Sequence, residues 1–239
     1  MSRKSHNPVT ARRGPSLNVL LTVAVVVVAV AVVGGVLLTN RGSAGTPLGS
    51  ALRPADAHTL SRADGDKVTV VEFVDFQCPA CSSYYTEVTK KLEQDYQGRI
   101  TFVPRNLPLE AHPLAVPAAL AAEAAGRQGK YAEMYHALYG DYDAWALDGR
   151  SVATDQAAAT AKFEQYATAA GLDLARFRAD VASPDLRAIL DRDVADARSL
   201  GVTSTPTLFV NGEQFRAKGR SLGDVERELR ARVDEELAR

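Results

Sequence analysis

Hydrophobic positions fall into three regimes along this chain. From Leu17 to Leu38 they are continuous, LNVLLTVAVVVVAVAVVGGVLL, 22 residues without a charge. At about 1.5 Å per residue such a helix spans roughly 33 Å, enough for the hydrocarbon core of a bilayer. A cleaved signal peptide has a shorter apolar region ending in a small-residue site, whereas Thr39-Asn40-Arg41 follows here. An uncleaved signal anchor over 17–38 is therefore expected. Arg3, Lys4, Arg12 and Arg13 precede it, so residues 1–16 belong on the cytoplasmic side and the rest of the chain outside the membrane. In the second regime, 39–60, Gly, Ser, Ala and Pro dominate without a sustained period, which reads as a flexible linker.

The third regime, 61–239, is long enough for one domain with its own core. Lys67 to Val74 (KVTVVEFV) predicts a buried strand, Pro79 to Tyr96 a helix stopped near Gly98, and Arg99 to Pro104 a second strand. Strand–helix–strand in that order predicts a right-handed parallel unit. Helical patterns then occupy Pro113 to Gly126, Lys130 to Tyr139, Thr154 to Ala170, Asp173 to Val181 and Asp185 to Leu200. Thr207 to Val210, the turn Asn211-Gly212 and Gln214 to Arg216 predict a hairpin. A helix from Leu222 to about Leu237 closes the chain. The expected fold is α/β, a βαβ unit and a ββα unit separated by a helical insertion over about 107–200.

Composition narrows the partners. With 28 basic and 29 acidic residues the formal charge is -1, which supplies no basic excess for nucleic acid. Two cysteines exclude a disulfide-stapled scaffold. A closed zinc site needs four ligands. Beyond the apolar span the cysteines could be joined only by His58, His112 and His136, none at paired spacing. No metal or cofactor is expected.

Both cysteines stand in Cys78-Pro79-Ala80-Cys81, where the first strand hands over to the first helix. A thiolate there faces unpaired N–H groups and the positive end of the helix dipole. Pro79 suits the first helical position. Cys78 is expected to be accessible and Cys81 to lie one turn inward. The lower the pKa of Cys78, the more oxidising the disulfide. Two further features sharpen the signal. Thr205-Pro206-Thr207 places a proline at the entrance to a strand, where a cis Thr205–Pro206 bond would be a reason for it. Glu72 is an acid in an otherwise apolar strand. Asp75 reads as a turn or surface acid and His112 as a helix-start or packing residue; Tyr84, Tyr85 and Trp145 are aromatic candidates for a groove or for the core.

The run Phe73-Val74-Asp75-Phe76-Gln77-Cys78-Pro79-Ala80-Cys81, the helical block and Gly201-Val202-Thr203-Ser204-Thr205-Pro206-Thr207 resemble the DsbA-like branch of the thioredoxin superfamily, in its membrane-anchored extracytoplasmic form. The resemblance covers about residues 60–239. It implies a thioredoxin fold with a helical insertion and thiol–disulfide exchange. By position Cys78 matches the nucleophile, Cys81 the resolving cysteine, Pro206 the cis-proline and Glu72 the buried acid that relays protons. Candidate substrate contacts are Thr205, beside which a polypeptide could pair as an added strand, with Pro79, Ala80 and Phe76. The best-known periplasmic oxidant of the branch has a histidine between its cysteines where this chain has Pro79-Ala80.

The expected function is introduction of disulfides into unfolded, cysteine-containing exported proteins by a monomeric, membrane-anchored oxidoreductase re-oxidised by a quinone-linked membrane partner. A reductase or isomerase of the cell envelope, or a binding module with a structural disulfide, are the alternatives.

Overall fold

The computed structural model describes residues 47–239. The expected membrane span, the tail before it and the start of the linker lie outside the described residues. Among those described, no helix is long and apolar enough to cross a membrane.

The expected linker ends earlier than residue 60. Helix α1, Pro47–Leu52, buries Leu52, and Leu60 and Ser61 pair with Phe102 through backbone hydrogen bonds of 2.9 and 3.0 Å. The anchor for this segment is a charge the apolar pattern conceals. Arg105, 1% exposed in the second strand, donates to the carbonyls of Ala51 and Leu52 and to the carboxylates of Asp193 and Asp196.

Strand β1, Thr69–Val74, is followed by α2, Pro79–Tyr84, a π-helical turn, Tyr85–Thr89, and α3, Lys90–Asp95. The expected single helix over 79–96 is thus interrupted. Strand β2, Thr101–Asn106, pairs parallel with β1, Thr69 opposite Thr101 and Val74 opposite Asn106. The insertion comprises α4, Ala115–Gly126; α5, Tyr131–Gly140; α6, Tyr142–Ala146; a hairpin of β3, Leu147–Asp148, and β4, Ser151–Val152; α7, Gln156–Ala169; α8, Leu174–Val181; and α9, Pro184–Ser199. Asp155, Asp173 and Ser183 cap α7, α8 and α9, each accepting a backbone N–H of the first turn. Strands β5, Thr207–Val210, and β6, Glu213–Gln214, are joined by Asn211 and Gly212, both at positive φ as a tight hairpin turn requires. Helix α10, Leu222–Ala238, opens with a Ser221–Asp224 capping box.

The sheet order is β2-β1-β5-β6, with β5 antiparallel to β1. Alternation along β1 sends Val70 to a core shared with Val88, Leu92, Val225 and Leu229 on one face. It sends Val71 and Phe73 to a core with Leu52, Ala197 and Val202 on the other. Val74 joins a third core built by the helical insertion, and both cysteines belong to that one. The parallel β1–α2–β2 unit therefore brings the Cys78–Cys81 turn to the end of β1, against the inserted helices.

Candidate active site

Strand β1 ends at Val74, and three residues later the chain turns into α2. Cys78 is the N-cap residue, extended at φ −72° and ψ 121°, and Pro79 is the first helical residue. This leaves the N–H groups of Ala80 and Cys81 free to point at the Cys78 sulfur. Both cysteines are free thiols. The Cys78 thiol is held down at about 5, first by the hydrogen bond from the Cys81 side chain, with the Cys81 and Ala80 N–H groups adding to it against the opposing effect of burial. Cys81 behaves oppositely. Burial, then its neighbour Cys78, push its thiol well above the usual range. One sulfur is thus a thiolate at neutral pH and the other keeps its proton. Cys78 is less open than expected, only 7% exposed.

The antiparallel pairing of Phe73 with Thr207 brings the loop before β5 beside this turn. The Thr205–Pro206 peptide is cis. The Cys78 sulfur lies 3.8 Å from the Thr205 carbonyl oxygen. The Thr205 hydroxyl makes no tight hydrogen bond; it faces both sulfurs and favours the thiolate of each. Thr207 steadies the loop by donating to the Ser204 carbonyl at 2.7 Å.

Glu72 is 1% exposed, and burial pushes its carboxyl up to about 8, with Tyr135 opposing the shift. No well-formed hydrogen bond joins them, since Glu72 Oε2 and Tyr135 Oη are both unpartnered among the described residues. Tyr84 and Tyr139 lie within electrostatic reach of both Glu72 and Cys81. The acid and the inner sulfur therefore share one buried neighbourhood.

Of the other expected contacts, Pro79 and Ala80 are exposed beside Cys78. Phe76 is not a surface residue. It is 1% exposed, and its ring packs 5.7 Å from that of Tyr135 and 5.2 Å from that of Tyr139. Apolar burial at the junction with the insertion claims it. Tyr85 and Trp145 are core residues for the same reason, while Tyr84 is half-buried.

Asp75 is a correction in the other direction. It is buried, with Oδ1 accepting from the Gln77 N–H at 2.8 Å and Oδ2 from the Leu109 N–H at 2.9 Å and His112 Nδ1 at 2.6 Å. Burial raises its pKa against these bonds. Gln77, 0% exposed, was not singled out at all. Its amide accepts from the Leu114 N–H at 2.6 Å and donates to the carbonyls of Ala146 and Ala153 at 3.2 and 2.8 Å, while Tyr142 donates to its backbone carbonyl at 2.7 Å. Together they bolt the turn before Cys78 to the insertion. Asp75 carried a local signal, an Asx turn two residues long; Gln77 carried none, because its partners are far along the chain.

A family profile described as thioredoxin matches residues 64–224. A solved thioredoxin-like oxidoreductase from Silicibacter pomeroyi DSS-3 is 28% identical, with a TM-score of 0.59 over 78% of this chain and 95% of its own. The thiol-disulfide exchange protein alpha-DsbA2 from Wolbachia pipientis, 21% identical, has the same fold, with a TM-score of 0.60 over 78% and 90%. The Na(+)/H(+) antiporter NhaA 1 of Mycolicibacterium gilvum is 37% identical over 174 residues, 69% of this chain but 25% of that protein. The chain thus spans about a quarter of the length of the curated relatives it matches.

Proposed function

Because the chain belongs to the thioredoxin family, in the DsbA-like form of its fold, we propose that it is an extracytoplasmic protein thiol–disulfide oxidoreductase that introduces disulfides into exported polypeptides. The observation that carries this reading is the division between the two sulfurs, Cys78 held near 5 and Cys81 well above its usual value. A stable Cys78 thiolate stabilises the dithiol form, which makes the disulfide form an oxidant.

In the forward reaction a substrate thiolate attacks Cys78 Sγ of the disulfide form. A mixed disulfide forms, the Cys78–Cys81 bond breaks, and Cys81 leaves and takes a proton. The substrate's second thiolate then attacks its own sulfur in the mixed disulfide, and Cys78 leaves as the stabilised thiolate. The substrate leaves oxidised by two electrons and the protein is reduced by two. Exposed Pro79 and Ala80 and the Thr205 carbonyl form the surface on which an unfolded chain pairs as an added strand. Glu72 supplies the Cys81 proton. A quinone-linked membrane protein re-oxidises the pair, and an anchor over 17–38, with the N-terminus inside, keeps the monomer near it. Antiport is not proposed, since the described domain corresponds to about a quarter of the antiporters' length and has no membrane-crossing helix among its described residues.

Thiol alkylation in cells tests the direction: Cys78 and Cys81 are expected mostly oxidised, and a mostly reduced pair would make the protein a reductase or isomerase. A Cys81→Ala variant is expected to trap mixed disulfides with envelope proteins. Their absence would count against enzymatic exchange altogether.

A further inference from the structure

Three more buried polar atoms lie beyond the Glu72 carboxyl, and those of Thr89 and Glu93 take no part in the site described so far. Glu72 Oε2, Tyr135 Oη, Thr89 Oγ1 and Glu93 Oε2 are closed off from solvent and lack a hydrogen-bond partner among the described residues. Such atoms are few in folded proteins, and each calls for internal water or a functional reason. They are neighbours. Tyr135 acts on Glu72, Thr89 acts on Tyr135, and Glu93 is within electrostatic reach of Tyr135. The far end of the row reaches solvent. Glu93 Oε1 lies 3.2 Å from His136 Nε2, His136 Nδ1 lies 3.1 Å from the Tyr85 hydroxyl, and the histidine side chain is 36% exposed. Tyr85, Glu93 and His136 line one surface pocket of about 360 Å³.

The helix is irregular where this row crosses it. Tyr85 and Thr89 are the two ends of the π-helical turn between α2 and α3, a local geometry that recurs at functional sites. A second direction away from Glu72 is closed. Tyr131 Oη is also unpartnered, but it leads toward Glu123, whose two oxygens are already bonded to Asn106 and His58.

We propose that this row is the proton path of the inner sulfur, along which protons pass between Glu72 and solvent through Tyr135, Thr89 and Glu93, bridged by water, with His136 as the port. The proposal rests on the thiol–disulfide reading above. In the oxidising direction the Cys78–Cys81 bond breaks, Cys81 takes the Glu72 proton, and the path returns one proton from solvent to the carboxylate. In the reverse direction Cys81 gives its proton to Glu72 as it attacks Cys78, and the same path exports it. The port contains none of Cys78, Pro79, Ala80 or Thr205, so it is separate from the expected substrate contacts.

The test is single-turnover oxidation of a synthetic dithiol peptide by the disulfide form of the full chain, followed by stopped flow with a pH-indicating dye. Glu93→Gln and His136→Ala are expected to slow proton uptake about tenfold or more, while Cys78 alkylation keeps its wild-type rate and midpoint. Added imidazole is expected to restore the His136→Ala rate by occupying the emptied port. Slow turnover in Glu72→Gln with wild-type rates in Glu93→Gln and His136→Ala would overturn the path and leave the Glu72 relay standing. A slow His136→Ala that imidazole does not rescue, or a loss in His58→Ala instead, would also overturn the path. A wild-type rate in Glu72→Gln would remove the relay reading on which the path rests.

Discussion

The Cys78 sulfur lies 3.8 Å from the carbonyl oxygen of Thr205, a residue 127 positions further along the chain. A protonated Cys78 can donate to that carbonyl, but a thiol held at about 5 has lost its proton at neutral pH. The carbonyl is then left with no thiol proton to accept, next to the nucleophile and beside the exposed Pro79 and Ala80. In the proposed function an incoming backbone N–H would satisfy it. The carbonyl equally lacks a thiol proton in the disulfide form from which the proposed reaction starts, so it is open to a polypeptide N–H in both redox states.

The most direct consequence concerns alkylation. The rate of iodoacetamide reaction with Cys78 in the reduced protein is expected to rise through a midpoint near pH 5, where the sulfur becomes charged. A midpoint near that of free cysteine would remove the site's basis.

Stability follows with a definite sign. Cys78 is depressed from 9.0 to about 5 on folding, so its ionisation contributes stability that is present above pH 9 and is lost as pH falls through 5. Only the dithiol form has this titration. Melting temperatures of the two forms, measured from pH 9 to pH 4, are expected to show the reduced form losing ground to the oxidised form toward acid. Glu72 works the other way. Raised from 4.5 to about 8, it contributes stability that is complete below pH 4.5 and lost as pH rises through 8. Glu72→Gln is expected to flatten the decline of the profile between pH 4.5 and pH 8.

Thr205→Val removes the hydroxyl that favours both thiolates and keeps the shape of the side chain. The alkylation midpoint of Cys78 is expected to move upward. An unchanged midpoint would mean that the hydroxyl has no effect on the sulfurs.

Gln77→Ala strands the Leu114 N–H and the Ala146 and Ala153 carbonyls in the interior. With roughly 1–3 kcal/mol for each buried group left unpaired, part of it relieved by local rearrangement, a loss of about 3 kcal/mol is expected in urea unfolding. A loss below 1 kcal/mol would show that the turn does not depend on this bolt.

Arg105→Ala leaves Asp193 and Asp196 without their buried partner and frees the carbonyls of Ala51 and Leu52. A cost of about 3–5 kcal/mol is expected, together with faster hydrogen exchange in α1. Retained protection there would place the hold on α1 elsewhere.

The sequence shows the parts of this site that depend on neighbours in the chain. Cys78 and Cys81 are one helical turn apart, Pro79 suits the start of α2, and Asn211-Gly212 specifies its own turn. The thioredoxin-like order of strands was legible because β1 and β5 are short, apolar and bounded by turns. What was hidden depends on partners far along the chain. Gln77 reads as an ordinary polar residue until Leu114, Ala146 and Ala153 close around it, and Arg105 falls just past the expected strand and gains its role only when Asp193 and Asp196 reach it from α9. The same lack of distant information put Phe76 on the surface, ended the linker too late and left the π turn unseen, because it breaks no apolar period.

The unequal sulfurs also set an electrochemical bias. Between pH 5 and the high pKa of Cys81, reducing the pair takes up two electrons but one proton, because Cys78 stays ionised. Its potential then falls by about 30 mV per pH unit, whereas an ordinary cysteine pair, which takes up two protons, falls by about 59 mV. The voltage available for oxidising such a pair therefore shrinks by about 30 mV for each unit of acidification and stops shrinking near pH 5. For the proposed oxidase, acidity outside the membrane would act as a throttle with no regulatory subunit involved.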